Sequence, residues 1–487
     1  MLDPNEIYDK LLKGEQVNIR HTFISEDDLR EYYNLFLLMM SFYDQMFLLE
    51  VSFTIVKEIL INAVKANAKR VHFKRLNLNI HDPAHYEKGM LSFAEEVTMK
   101  WNEQQEYLDS SEFYIQTNSL IKDNNFLFIV ENNANVMPVE QERIKKRMEA
   151  AKAYNDLSDA FEDMSDSTES AGLGLILTQI LLRNSGIGRE NFRLVFQPDK
   201  TLVVFQIPSN VVPQIQGVSK FNAKVLDEIE NLPPLPKSLH KIIDLCNDPE
   251  ANIHTLSVEI EKDPALSADL LKLSNSTYFI TRNKVSTILN AIKIVGLKNL
   301  KNLLYVSGVT KIMSSRYEKA QEIWDHSGKC SIYARLIANE FSHHKIADIA
   351  ATAGLLHDIG KLVLLSIDKN ITKRVEFLKD KEKNNSVLLE EYSMGISHPD
   401  IGAQLLTKWG FPVELIEVVQ FHHRPFLASA DSRALTEIIY LANNLVDLKD
   451  GKTSFSVMLS PILENFNIVT EQDLLNLIEK LDSHIAD

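Results

Sequence analysis

The stretch Ala353-Gly-Leu-Leu-His-Asp-Ile-Gly-Lys361 constrains this chain more than any other. An apolar helical turn delivers His357 and Asp358 side by side, and a glycine and a lysine follow. Imidazole nitrogen and carboxylate oxygen suit the same divalent cations, so the pair can reach one ion together. Two ligands do not make a site, but the neighbourhood supplies more. Of the chain's 14 histidines, His326, His343, His344, His357, His398, His422 and His423 fall in one window of the sequence.

At 487 residues the chain is too long for one core and implies two or three domains. Its 45% hydrophobic and 24% charged content is ordinary for a globular protein. A net charge of −15, from 52 basic and 67 acidic residues, argues against a broad nucleic-acid or anionic-membrane surface. Cys246 and Cys330 are the only cysteines, which excludes a disulfide framework and fits a reducing compartment. The start lacks the basic and apolar regions of a signal peptide. The apolar run from Leu35 to Val64 is interrupted by Asp44, Glu50, Lys57 and Glu58, which is unlike a conventional membrane span. The expectation is a cytoplasmic protein with neither nucleic acid nor membrane as partner.

Residues 1–210 read as one α/β domain. Ser25-Glu-Asp-Asp28 has the form of a capping box and predicts a helix to about Leu49. A second helix is predicted from about Ser52 to Arg70. Val71–Ile80, Glu112–Gln116, Asn125–Val130 and Leu202–Ile207 alternate as strands do. The charged stretch from Glu140 to Asp166 predicts a helical lid region followed by a loop. Pro208 to Val218 marks a boundary, and a linker is expected over 211–224. Residues 225–450 then read as almost pure helix, with starts at Pro233-Pro-Leu-Pro236 and Asp263-Pro264 and a break at Gly296. A helical tail is expected over 451–487.

Two resemblances sharpen this reading. Lys57-Glu-Ile-Leu-Ile-Asn-Ala-Val-Lys65 resembles the asparagine box of the histidine-kinase-like ATPase superfamily, and Ser170-Ala-Gly-Leu-Gly-Leu175 resembles its second glycine box. The resemblance implies an α+β sandwich with ATP and magnesium as ligands. Asn62 would hold the metal, Glu58 would assist, Gly172 and Gly174 would approach phosphate, and Glu131 would stand for the adenine-reading acid. The family's Asp-x-Gly-x-Gly loop is replaced by Glu131-Asn-Asn-Ala-Asn135. An ATPase-like fold that binds another ligand, or none, therefore stands beside nucleotide binding. His21, in Asn18-Ile-Arg-His-Thr22, lacks the acidic neighbour and downstream proline of a phosphoacceptor.

The span from Val225 to Asp447 resembles the HDOD family, the HD-related output domains of bacterial signalling proteins. Leu232-Pro-Pro-Leu-Pro236, Asp263-Pro with Leu273-Ser-Asn-Ser276, Trp324-Asp-His-Ser327, Gly354–Lys361 and Phe421-His-His-Arg-Pro425 carry the likeness. It implies an all-α fold with an N-terminal helical subdomain against an HD-type bundle. Related catalytic HD phosphohydrolases imply His326, His357, Asp358, His398, His422 and His423 as ligands of iron, manganese or zinc. Asp358 and Lys361 would then be catalytic, the lysine steadying a phosphate. Asn443 stands where that superfamily closes its metal set with an aspartate, and a neutral amide is a poorer ligand. Other residues have plainer readings: His343 and His344 at an exposed helix end, and Cys330 in packing. The expected function is cytoplasmic signal transduction, an ATPase-like sensor domain regulating a non-catalytic, metal-binding HDOD output domain. Signalling proteins would be its partners, and a homodimer is left open. The alternative is a metal-dependent phosphohydrolase or phosphodiesterase acting on a nucleotide or cyclic dinucleotide.

Overall fold

The computed structural model describes residues 3–99, 104–152, 154, 173–212, 220–248, 250, 252–275, 285–317, 321–367, 387–388, 390–391 and 395–486. They form two compact units that divide near residue 218.

The first unit opens with α1 (Pro4–Leu12), started by Asp3, whose side chain accepts from the Asn5 N–H, with proline at the permissive first turn. Strand β1 (Val17–His21) leads to α2 (Glu26–Phe42), where the Ser25/Asp28 capping box is present in full. Helix α3 (Leu49–Arg75) is the long central element, followed by α4 (Pro83–Met99) and α5 (Gln104–Asp109). Strands β2 (Ile115–Lys122) and β3 (Asn125–Asn132) form a hairpin whose turn residues Asp123 and Asn124 take positive φ. Helices α6 (Pro138–Ala150) and α7 (Leu173–Asn184) precede β4 (Phe192–Phe196) and β5 (Thr201–Ile207).

The five strands make one antiparallel sheet in the order β1-β2-β3-β5-β4. Alternation along β3 buries Phe126, Phe128, Val130 and Asn132. Phe36 of α2 meets Phe126 and Phe128 at ring-centroid distances of 5.3 and 5.4 Å, and α3 packs on the same strand. An α+β unit results. One expectation is overturned here: Val71–Ile80 is not a strand, because α3 runs on to Arg75. Val64, Ala68 and Val71 continue a buried stripe at helical spacing, so the helix period prevails over a local alternation. The helix stops at Leu76, just before Asn77, which sits at φ 55°.

The second unit is helical throughout the described residues. Its N-terminal helices are α8 (Lys220–Asn231), α9 (Lys237–Asn247), α10 (Ile253–Glu261), α11 (Pro264–Ser274) and α12 (Ile288–Arg316). Gly296 splits α12 with φ 79° and ψ 160°, a conformation open to glycine at little cost. Then come α13 (Gln321–Glu340), α14 (Ala347–Leu356), α15 (Ile359–Ile367), α16 (His398–Lys408), α17 (Val413–Phe421) and α18 (Ala430–Lys449). The stretch His344–Ile367 is apolar enough to cross a bilayer by composition, yet 72% of its apolar window is buried. It serves as the core of this bundle. The last helices, α19 (Ser460–Asn465) and α20 (Glu471–Ala486), are an integral part of the unit and not an appended tail. Phe466 packs edge-on against Phe341 at 5.0 Å, Lys449 reaches Asp482 at 2.7 Å, and Tyr333 donates to Asp482 as well.

Candidate metal centre

Six helices contribute to one buried cluster. His326 and Cys330 lie one turn apart on the inner face of α13, and His357 and Asp358 link α14 to α15. His398 is the first residue of α16, His422 and His423 follow α17, and Asn443 and Asp447 lie one turn apart on α18. Glycines let these helices close in. A Cβ on Gly354 would meet the Cys330 backbone at 2.9 Å, and one on Gly360 would lie 2.0 Å from the His398 carbonyl oxygen. Any larger residue at either place would wedge the ligand-bearing turns apart.

Asp358 is the hub. Its Oδ1 lies 3.2 Å from His398 Nε2 and 3.7 Å from His422 Nε2, while Oδ2 lies 3.4 Å from His357 Nε2 and 3.6 Å from His326 Nε2. Lys361 Nζ donates to Oδ2 at 2.6 Å. The structure thus brings together all six histidine and aspartate ligand candidates, with Lys361 beside them.

The far side of each ring fixes its tautomer. His357 Nδ1 is 2.8 Å from the Gly354 carbonyl, and His422 Nδ1 is 2.8 Å from the Val419 carbonyl. A carbonyl only accepts, so each Nδ1 carries a proton and each ring turns its Nε2 inward. His398 Nδ1 does the same against Glu390 Oε2 at 2.6 Å, and Glu390 also takes the His398 backbone N–H at 2.7 Å. A carboxylate behind a histidine is the usual support for a metal ligand.

The consequence is a pocket of acceptors facing acceptors. Asp358 Oδ1 and the Nε2 atoms of His398, His422 and His423 are buried without a hydrogen-bond partner. One ligand atom from each of these four residues lies within 4.8 Å of the others. At His422 and His423 protons do not resolve the conflict. Burial, with His357 and His398 nearby, pushes His422 down to about 3. His423 is driven well below its ordinary value by burial and by His422. Burial also opposes a charge on His398, but Glu390 outweighs it and holds that ring above its ordinary value. Burial works against ionised Asp358 too, yet His357 and Lys361 overcome it and keep the carboxyl well below its usual range. Neutral His422 and His423 beside an ionised Asp358 fit a divalent cation, and His398 would join them once a metal displaces the proton from its Nε2.

The other side of Asp358 differs. Asn443 Oδ1 lies 2.9 Å from His326 Nε2 and 3.3 Å from His357 Nε2, so the amide faces the cluster directly. Asp447, one turn on, stands behind His326 with Oδ1 3.9 Å from Nδ1. Cys330 Sγ is 3.4 Å from His326 Nε2. Burial pushes the Cys330 thiol well up and His326 down to about 4. Glu390 escapes sequence reasoning; Cys330, expected in packing, stands against His326, and Asp447, one turn beyond Asn443, reaches only the far side of that ring. His343 and His344 are exposed, as expected.

In the first unit, Glu58 and Asn62 are joined on α3, Asn62 Nδ2 donating to Glu58 Oε1 at 2.7 Å. Gly174 at the start of α7 lies against Glu58, where a Cβ would be 1.7 Å from Oε1. Gly172 lies outside the described residues. Glu131 does not join them. Strand alternation turns it to the other face of β3, 3.1 Å from Lys200, and the residue facing α3 is Asn132, which donates to Asn67 at 3.3 Å.

The helices and the buried histidine-aspartate centre define an HD-type helical domain. Residues 232–425 match the family model of the HDOD domain, so the second unit contains an HDOD domain. An uncharacterized protein of Treponema pallidum (strain Nichols) is 28% identical over 428 residues, covering 88% of this chain and 83% of its own length. Among solved structures, an HDOD domain protein of unknown function from Geobacter sulfurreducens is 22% identical, covering 55% of this chain and 94% of that one at a TM-score of 0.44. A Shewanella amazonensis SB2B protein with a provisional phosphohydrolase designation is 25% identical, covering 54% of this chain and 94% of that one at a TM-score of 0.42.

Proposed function

We propose that this is a signal-transduction protein whose HDOD domain holds a divalent cation through Asp358, His398, His422 and His423 and relays a signal through protein contacts, without turnover. The observation that carries the metal is the convergence of four buried, unpartnered acceptor atoms on one point. Bound iron, manganese or zinc would supply a concentrated positive charge for an anionic oxygen. The chain's own residues do the rest. Glu390 and the Gly354 and Val419 carbonyls orient the rings, and the buried Asp358 supplies compensating charge. Lys361, committed to Asp358, offers an ammonium at the rim.

One feature supports binding over hydrolysis: Asn443 brings a neutral amide oxygen, and no carboxylate, against His326 and His357, so the charge that a bridging hydroxide needs is missing on that side. The second reading, a phosphohydrolase acting on a nucleotide or cyclic dinucleotide, draws on the complete histidine set. Metal analysis of protein purified without chelators, beside His398→Ala and His422→Ala, separates these outcomes. Metal bound in wild type and reduced in both variants, with no release of product from phosphodiester substrates, is expected. Metal-dependent turnover would transfer the conclusion to the second reading, and absence of metal after reconstitution would end both.

For the first unit we infer a sensor of histidine-kinase-like ATPase type, supported by the antiparallel sheet and by Glu58, Asn62 and Gly174 meeting. A ligand there regulates the output domain only by binding two arrangements unequally. Titration with magnesium and ATP tests the nucleotide. No heat in wild type, or equal affinity in Asn62→Ala, removes ATP as the signal.

A further inference from the structure

We propose that Cys330, with His326 and His357, forms a second cation position in which a thiolate replaces the carboxylate that Asn443 cannot supply, and that this position selects a thiophilic ion such as zinc. The inference rests on the reading of the Asp358/His398/His422/His423 position as a metal site, and it concerns the opposite side of the same aspartate. Its first support is geometric. Ligand atoms of His326, Cys330 and His357 lie within 4.8 Å of one another. Tetrahedral zinc with nitrogen at about 2.0 Å and sulfur at about 2.3 Å has a nitrogen-to-sulfur edge of about 3.5 Å. The separation of Cys330 Sγ from His326 Nε2 is 3.4 Å.

The second support is the helix. His326 and Cys330 are four residues apart on α13, so both side chains project from one face toward the turn bearing His357. Gly354 lets that turn approach the Cys330 backbone closely, so the thiol is held against the histidines and not displaced outward.

The third support is charge. His326 and His357 are neutral ligands once Nε2 coordinates, and Asn443 is neutral in any state. Asp358 Oδ2, at 3.4 and 3.6 Å from the two rings, is shared with Lys361. The cation therefore needs an anion, and Cys330 is the nearby group that becomes one. Binding breaks its S–H bond, forms a metal–sulfur bond and releases one proton to solvent. A thiolate favours zinc over manganese, magnesium or calcium at this position.

Cobalt(II) is the probe, because thiolate coordination gives it an intense near-ultraviolet charge-transfer band. Wild-type full-length protein is expected to bind two equivalents and to show the band. Cys330→Ser should bind one equivalent and lack it, with an unchanged circular dichroism spectrum. Cys330→Ser combined with Asn443→Asp should regain the second equivalent without the band, since a carboxylate then supplies the charge. Two equivalents in wild type without the band, or two in Cys330→Ser, would overturn the proposal. One equivalent without the band overturns it while leaving the first metal position standing, and no cobalt at all defeats that reading too. Should Cys330→Ser fail to fold, the wild-type band and stoichiometry decide alone.

Discussion

Glu390 does at the residue scale what His398 cannot do for itself: one oxygen takes both the ring Nδ1–H and the backbone N–H of the same histidine. Glu390→Gln keeps the shape but removes the charge that holds the proton on Nδ1. Metal affinity should fall about 10- to 100-fold with the fold intact, read by chelator competition. An unchanged affinity would mean that the ring is oriented by packing alone. Glu390 was not legible in the sequence. It precedes its partner by eight residues, and only the turn into α16 brings the two together. Asn443 was legible as a departure, and the structure adds that its amide oxygen meets both His326 and His357.

Among the elements, the contact between α15 and α16 depends on Gly360. Gly360→Ala would press a methyl into the His398 carbonyl, where the built Cβ lies at 2.0 Å. Overpacking of this kind costs about 1–3 kcal/mol. Urea denaturation should register that loss, and metal binding should weaken with it, because Asp358 and His398 are carried by the two helices. In the first unit, α6 is tied to α3 by Glu140, whose carboxylate meets Lys69 at 2.5 Å and Arg70 at 2.8 Å. Burial opposes that charge, but Arg70 and Lys69 prevail and lower Glu140 from 4.5 to about 2. A depressed carboxyl stabilises the fold above its unfolded pKa, and the stability is lost as pH falls through the folded value. About 2–3 kcal/mol should therefore be present above pH 4.5 and disappear toward pH 2. Glu140→Gln should flatten this acid limb in urea titrations between those pH values. At this scale the existence of α2, α3 and β3 is legible in the sequence, but α2 ends at Phe42, short of the expected Leu49, and the last turn of α3 carries a local alternation that reads as strand. The strands β1 and β4, five residues each, were too short for their pattern to stand out.

For the whole molecule, the metal centre should couple to one unit more than the other. A ligand that binds only the folded state stabilises it by about 2.7 kcal/mol at a hundredfold excess over Kd. Zinc or manganese should thus slow amide hydrogen exchange across α13 to α18 and leave the sheet of the first unit unaffected, and His398→Ala should weaken the effect. Slowing spread equally over the sheet would show that the units respond together. The C-terminal helices belong to this same balance. Asp482 gathers Tyr333 of α13 and Lys449 of α18, the helices that carry His326 and Asn443. Asp482→Ala should lower the melting temperature by a few degrees, the size expected of about 1 kcal/mol, and loosen metal binding slightly.

The sequence by itself determined the ligand types, their order along the chain and the helical spacing that puts His326 and Cys330, or Asn443 and Asp447, on one face. Those are local properties of a 3.6-residue period and of motifs a few residues long. Which side of β3 carries Glu131, whether Asn443 or Asp447 faces the histidine cluster, and where Glu390 turns its carboxylate were decided by tertiary structure. Each depends on how far one element rotates and slides against another. Packing sets those degrees of freedom only when glycines, aromatic rings and buried charges from distant parts of the chain meet.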